Sequence, residues 1–126
     1  MGTVNLYAAW IGILLGFIAG AIQGMFFHRE DWLGGYSAWP RRMLRLGHIS
    51  FFGIAFVNLA YALSVRFFEL HAASAWPSRL FLVGAVTMPL VCYLSAYKKG
   101  FRHLFAVPVA SLLAGATAFL WEVIAS

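Results

Sequence analysis

The sequence contains at residues 7–27 the run YAAWIGILLGFIAGAIQGMFF, which carries no charged side chain. At a rise of about 1.5 Å per residue, a helix of this length covers about 32 Å, and the hydrocarbon core of a bilayer is about 30 Å thick. Three further apolar runs of about 18 to 21 residues follow, each bounded by charged or polar residues. We therefore predict four membrane-spanning helices, at about residues 5–27, 46–65, 80–97 and 103–122.

The composition of the whole chain agrees with membrane insertion. Of the 126 residues, 63% are apolar and 10% are charged, whereas soluble domains are about half apolar and about a quarter charged. Because lipid offers no hydrogen-bonding partners to the backbone, a spanning segment has to be a helix or part of a closed barrel. The sequence lacks the alternating segments of about ten residues that a barrel requires. We expect an all-α integral membrane protein, a four-transmembrane-helix bundle in which residues 1–126 form a single domain.

The basic residues are unevenly distributed among the loops between the predicted spans. Seven of the nine Lys and Arg residues lie in the first and third loops, namely Arg29, Arg41, Arg42, Arg45, Lys98, Lys99 and Arg102. Cytoplasmic loops are enriched in Lys and Arg, so we expect an N-out/C-out topology, in what we interpret as a bacterial inner membrane. All of these residues except Arg29 are predicted to contact anionic lipid headgroups. The net charge of +5 lies between apolar runs, which favours a membrane surface over nucleic acid as the partner.

Two of the predicted spans carry small residues at four-residue spacing. Helices in lipid gain most from close backbone approach, which small residues at this spacing permit. Both faces therefore predict tight helix packing, the first as a glycine zipper. The partner of span one is span four or span two or, alternatively, another chain. The residues are Gly12, Gly16, Gly20 and Gly24 in span one and Ala106, Ala110, Ala114 and Ala118 in span four.

Few polar groups lie within the predicted spans. Asn58, about halfway along span two, is expected to hydrogen-bond to a neighbouring helix or, alternatively, to bind a substrate or ion. No Asp, Glu, Lys or Arg lies at mid-membrane, whereas proton-coupled pumps and small multidrug exporters rely on an intramembrane carboxylate. Pro89 and Pro108 each remove a backbone hydrogen bond, and we expect each to kink its helix.

Three of the four histidines lie at the predicted cytoplasmic interface. They are His28, His48 and His103, whereas His71 lies on the other side. Neutral imidazole binds haem iron, copper and zinc. His48 and His103 are candidates for the two axial ligands of a haem b, and His28 is a further candidate for cofactor binding. Binding of another metal or of a quinone headgroup, and a purely interfacial hydrogen-bonding role, are the alternatives.

The run Gly100-Phe101-Arg102-His103-Leu104 resembles the G-x-R-H-L run of succinate dehydrogenase cytochrome b subunits. Those small membrane anchors carry haem b and help bind quinone, so the resemblance implies such a role. It covers five residues of 126. Where that family has its haem-ligating histidine, four positions before the glycine, this chain has Ala96. The family subunit also has three spans rather than four, and the resemblance assigns no family.

Sequence motifs of enzymes are missing from the chain. The single cysteine, Cys92, excludes an internal disulfide and a C-x-x-C pair. There is no phosphate loop, nucleotide-binding fingerprint or catalytic triad pattern. We expect a protein that is not an enzyme by itself and acts as an accessory or assembly subunit of a larger membrane complex, with other membrane subunits or a second copy as partner. A haem b or quinone-binding electron-transfer subunit and a small transporter or channel are the alternative functions.

Overall fold

The computed structural model describes residues 2–70 and 74–126, so that His71 lies outside the described residues. The helices are α1 (Thr3–Phe27), α2 (Trp39–Phe67), α3 (Trp76–Tyr97) and α4 (Ala106–Ala125), with 3₁₀ segments at Trp32–Gly34 and Lys99–Phe105. The described residues contain no β-strand. All four α-helices, α4 together with the 3₁₀ segment before it, are long and apolar enough to cross a membrane. The prediction of an all-helical fold with four apolar helices is confirmed.

The ends of the helices follow local sequence signals. Pro40 lies in the first turn of α2. The N–H groups of a first turn make no hydrogen bond within the helix, so a proline there removes none. The loop before it turns at Gly34 and Gly35, whose φ angles of 90° and 101° favour glycine. Pro89 lies inside α3, as predicted. Pro108 lies in the first turn of α4, directly after the 3₁₀ segment, and the kinks expected at the two prolines stay predictions.

Helices that follow one another in the chain pack together, α1 on α2, α2 on α3 and α3 on α4, with a smaller contact between α1 and α3. The middle of the molecule is therefore formed by α2 and α3. Of the residues in the most apolar stretch of each helix, 39% are buried in α2 and 33% in α3. The corresponding shares are 11% in α1 and 17% in α4 with the 3₁₀ segment before it. Most of the surface of the two outer helices is thus free to contact lipid or another protein.

The interior of the molecule is polar in places, and its surface is strongly apolar. Asn5, Asn58 and Ser95 are completely buried. Large apolar side chains at the surface include Tyr7, Phe17, Met25, Phe67, Leu113 and Ile124. Water favours the reverse distribution, because it hydrates polar groups and expels apolar surface. Polar groups inside and apolar groups outside are what an apolar solvent favours.

An apolar cluster joins three helices near the end of α2. Its buried members are Tyr61, Val65, Leu70 and Phe81, against which Leu112, Phe119 and Val123 of α4 pack. The Tyr61 ring lies 5.5 Å from the Phe81 ring and 5.1 Å from the Phe119 ring. Aromatic pairs at these separations stabilise beyond the area that they bury. The cluster holds α4 to both middle helices.

The two ends of the molecule differ in charge. At one end of the molecule, α1 and α3 finish and α2 and α4 begin, and we call this the basic end. It holds seven of the nine Lys and Arg residues. The two loops that are predicted to be cytoplasmic lie together at this end.

Candidate functional site

A pair of asparagines joins α1, α2 and α3 in the interior. The Asn5 side-chain N–H groups donate a 2.7 Å hydrogen bond to Asn58 Oδ1 and a 3.2 Å bond to the Ser78 carbonyl oxygen. Asn58 donates to the carbonyl oxygens of Ile54 (3.0 Å) and Phe81 (3.4 Å). The Ser78 hydroxyl donates to Asn5 Oδ1. Every polar atom of the two side-chain amides therefore has a protein partner.

This bonding pattern supports a cross-helix role for Asn58. Both polar atoms of its amide bond to protein groups and the side chain is completely buried, so the transporter or channel alternative gains no support from it. Asn5 and Ser78 are not among the residues predicted from the sequence. An amide near the start of span one is a visible signal, but its partners depend on the rotation and depth of three helices.

Gly12 marks a close approach between α1 and the backbone of α2. A Cβ at this position would lie 3.1 Å from the Ala55 Cβ and 3.2 Å from the Phe51 carbonyl oxygen. Neither atom can move without the helix to which it belongs. Glycine is therefore required for the spacing of these two helices.

Gly16 and Gly20 accommodate side chains of α2. A Cβ at Gly16 would lie 2.7 Å from the Phe52 ring, and one at Gly20 would lie 2.6 Å from the His48 ring. At Gly24, apart from the adjoining residues and backbone of α1, no atom of the described residues lies within 4 Å of such a Cβ. The glycine face thus packs against α2, one of the predicted partners, over its first three positions. A glycine zipper along the whole helix is not supported.

The alanine face of α4 points away from the rest of the chain. Ala106, Ala110 and Ala114 are exposed, and Ala118 is half-buried. Instead, α4 packs on α3 through other small residues. The Ser111 hydroxyl donates a 2.6 Å hydrogen bond to the Leu80 carbonyl oxygen, and a Cβ at Gly115 would lie 3.1 Å from the Leu80 Cβ. The described residues therefore leave the alanine face free for lipid or for another chain.

The three histidines predicted to bind a cofactor have separate surroundings. His28 is exposed just beyond the end of α1, and His103 is exposed in the 3₁₀ segment before α4. The half-buried His48 ring crosses the Phe52 ring at 82° with 5.4 Å between centroids. Its Nδ1 is buried without a hydrogen-bond partner. In residues 2–70 and 74–126, no group of three or more His, Cys, Asp or Glu side chains could hold a metal ion. Haem binding stays a prediction.

Arg41 is buried at the basic end, where it covers the end of α1. It is 3% exposed and donates 3.0 Å hydrogen bonds to the carbonyl oxygens of Phe27 and Arg29. Its guanidinium carbon lies 5.0 Å from the centre of the Phe27 ring and 5.8 Å from that of the Trp32 ring. The last carbonyls of a helix lack intrahelical donors, and the helix dipole favours a cation there. The headgroup contact predicted for Arg41 is therefore replaced by a contact within the protein.

The other five residues predicted to contact headgroups are at least partly exposed at the basic end, namely Arg42, Arg45, Lys98, Lys99 and Arg102. Two of them lie over the Trp39 ring, Arg42 at 5.9 Å and Lys99 at 5.1 Å from its centre. Trp39 itself donates a 2.7 Å hydrogen bond to the Ser95 carbonyl oxygen of α3. The tryptophan thus joins the beginning of α2 to the end of α3, and it lies beneath one cation from α2 and one from the 3₁₀ segment after α3.

Gln23 and Tyr93 meet in a groove between α1 and the two middle helices. The Gln23 side-chain N–H donates a 2.7 Å hydrogen bond to the Tyr93 hydroxyl oxygen. Gln23 is 7% exposed, and its Oε1 is buried without a hydrogen-bond partner. The remaining lining residues are apolar or aromatic, among them Trp32 of the first loop, and the groove holds about 400 Å³. Tyr93 is not among the residues predicted from the sequence.

The chain matches no protein-family model, no curated protein and no solved structure. The resemblance at residues 100–104 therefore does not extend to a family. Fold and site together define a chain of four apolar helices, each long enough to cross a membrane, joined by buried amides and close glycine contacts.

Proposed function

We propose that the chain is a multi-pass membrane protein with its basic end in the cytoplasm and both termini outside. The length of its four helices and its apolar surface support insertion. The concentration of Lys and Arg at one end supports the orientation, because such residues are retained on the cytoplasmic side. The five residues predicted to contact anionic headgroups that are at least partly exposed at that end make these contacts, namely Arg42, Arg45, Lys98, Lys99 and Arg102. The proposed location is a bacterial inner membrane.

We further propose that the protein is a non-catalytic accessory or assembly subunit of a larger membrane complex. The observation that carries this proposal is the alanine face of α4, which is exposed over three of its four residues. Small residues at this spacing let a second helix approach closely, and such packing drives helix association in lipid. The partner is another membrane subunit or a second copy of the chain.

The particle mass after mild solubilisation of native membranes tests the assembly role. We expect the wild-type protein in a particle larger than one chain, and we expect Ala114→Leu to release it by placing a branched side chain on the alanine face. Ala21→Leu is the matched control, because Ala21 is exposed on α1 and lies outside that face. A wild-type particle of one chain, or the same loss in both variants, would contradict the assembly role.

Haem b-dependent electron transfer is the alternative function, and His48 is the observation that favours it. Its Nδ1 is buried without a hydrogen-bond partner beside an aromatic ring. The second predicted ligand, His103, is exposed in a different segment. A reduced-minus-oxidised absorption spectrum of membranes that contain the overproduced protein tests whether it binds haem b. A b-type Soret band that His48→Ala removes would support this function, and the absence of such a band would exclude it.

A further inference from the structure

We propose that the groove beside Gln23 and Tyr93 binds a lipid-soluble quinol or quinone, a flat ring with hydroxyl or carbonyl oxygens and a long apolar tail. The site is distinct from the histidines considered for haem. It is also independent of the alanine face of α4, so the ligand and the assembly role can be tested separately.

Two hydrogen-bonding groups with unused capacity lie side by side in the wall of the part of the groove near the basic end, which we call the head pocket, and neighbouring side chains cover both of them. Gln23 Oε1 is an acceptor without a donor. The Tyr93 hydroxyl accepts from Gln23, and among the hydrogen bonds of the described residues none has this hydroxyl as its donor. If the oxygen and nitrogen of the Gln23 side-chain amide exchanged positions, one of the two atoms would still lack a hydrogen-bond partner. Once the Gln23 side chain turns towards the groove, a ring hydroxyl, which both donates and accepts, satisfies the two groups together, and a ring carbonyl satisfies the donor.

Aromatic side chains form the wall of the head pocket towards the basic end. The rings of Phe26 and Trp32 are stacked, with 5.2 Å between centroids and 17° between planes. Both residues line the pocket. Arg41, itself fixed by two backbone carbonyls, lies 5.8 Å from the centre of the Trp32 ring and holds it in place. Such a wall favours a flat ring in offset-stacked or edge-on contact.

A second groove of about 370 Å³, which we call the tail channel, lies next to the head pocket. The two share Leu15 and Phe51, and every residue that lines the tail channel is apolar. The channel reaches Ala8, and α1 rises about 27 Å between Ala8 and Phe26. A polar ring at one end of a long apolar path fits a quinol with its hydrocarbon tail.

The lining of the head pocket distinguishes this ligand from a phospholipid. None of the lining residues is charged, so a zwitterionic or anionic headgroup would lose its hydration without gaining an ionic partner. A quinol ring is neutral and needs only the two hydrogen bonds. The tail channel by itself would accept an acyl chain equally well, and the head pocket provides the selectivity.

Calorimetric titration of decylubiquinol and decylubiquinone into the full-length protein, in nanodiscs of phosphatidylcholine and phosphatidylglycerol, tests the site. We expect saturable binding of one molecule per chain. Tyr93→Phe and Gln23→Leu should each weaken decylubiquinol binding about tenfold, as expected for the loss of one hydrogen bond to a neutral group. Tyr97→Phe is the matched control, since Tyr97 lies one turn further along α3 and is 80% exposed.

Three further results bear on the same proposal. Ala19→Phe, which fills the head pocket without removing a polar group, should abolish binding. Binding of 1-dodecanol, which has a tail but no ring, with the same affinity as decylubiquinol would overturn the proposal. So would a phospholipid that native mass spectrometry finds on the purified protein and that decylubiquinol does not displace, because the groove would then be a lipid site.

Discussion

The Asn5 side chain of α1 donates a 2.7 Å hydrogen bond to Asn58 of α2, and both residues are completely buried. An unpaired amide in apolar surroundings is costly, so each of these residues is tolerated because the other is present. Their bonds to backbone carbonyls of α2 and α3 fix the rotation and depth of three helices relative to one another. The asparagine pair is therefore a specificity-determining contact of the fold.

Removing one asparagine should cost more than removing both. We expect Asn58→Leu to lower the free energy of unfolding by about 1–3 kcal/mol, because it leaves one buried N–H of Asn5 without an acceptor. Asn5→Leu together with Asn58→Leu removes both amides and should recover part of that loss. Unfolding of each variant in mixed micelles with increasing sodium dodecyl sulfate measures these differences.

Thr87→Val serves as the control for the asparagine series. The Thr87 hydroxyl donates only within α3, to the Val83 carbonyl oxygen, and its loss should change the free energy of unfolding by less than about 0.5 kcal/mol. If the double variant loses the sum of the two single losses, the asparagines stabilise independently and the pairing does not determine the packing.

Two glycines of the same face should respond differently to the same substitution. Gly12→Leu places a side chain 3.1 Å or less from Ala55 and should cost about 1–3 kcal/mol of unfolding free energy, because α1 and α2 must separate. Gly24→Leu adds the same side chain where, among the described residues, nothing packed against α1 lies within 4 Å of the Cβ. Its unfolding free energy should stay within about 0.5 kcal/mol of wild type or rise, since leucine favours a helix over glycine. Equal losses in the two variants would contradict the packing of α1 on α2.

Loss of Arg41 should open the first loop at the basic end. We expect Arg41→Ala to cost about 2 kcal/mol, since it removes two hydrogen bonds from a charged donor to the end of α1. Arg41→Lys should not restore the stability, because a single ammonium group does not reproduce the two-pronged geometry of a guanidinium. The rate of trypsin cleavage after Arg29 measures the opening.

The neighbouring arginine provides the comparison for this variant. Arg42 is exposed and lies over the Trp39 ring at 5.9 Å, so Arg42→Ala changes the net charge by the same amount without uncovering α1. We expect its cleavage rate after Arg29 to match wild type. Equal acceleration in both variants would show that charge, and not the covering of the helix end, protects the loop.

The helices could be predicted from the sequence because apolar runs and proline positions are local signals. The rotation of each helix is not local. In α4, the alanine face and the stripe of Pro108, Ser111 and Gly115 both carry small residues at helical spacing, and only the structure shows that the second packs on α3. The sequence predicts that small residues pack closely, and it does not say which of two such faces is used within the chain.

The candidate site was only partly predictable for a related reason. Charge counting places Arg41 with the other basic residues of the first loop, although the folded loop buries it against α1. The groove at Gln23 depends on Tyr93, which lies 70 residues away in sequence. No spacing rule joins two residues so far apart, because their contact is created by the packing of α1 beside α3.

Orientation in the membrane is best measured with single cysteines in spheroplasts. The only native cysteine, Cys92, is buried, and Cys92→Ala provides a background without a thiol. Ser37→Cys in the first loop and Ser126→Cys at the carboxyl end are both at exposed positions. With a membrane-impermeant maleimide, we predict labelling of the Ser126→Cys variant in intact spheroplasts and of the Ser37→Cys variant only after permeabilisation. Labelling of the first loop in intact spheroplasts, with the carboxyl end protected, would contradict the proposed orientation.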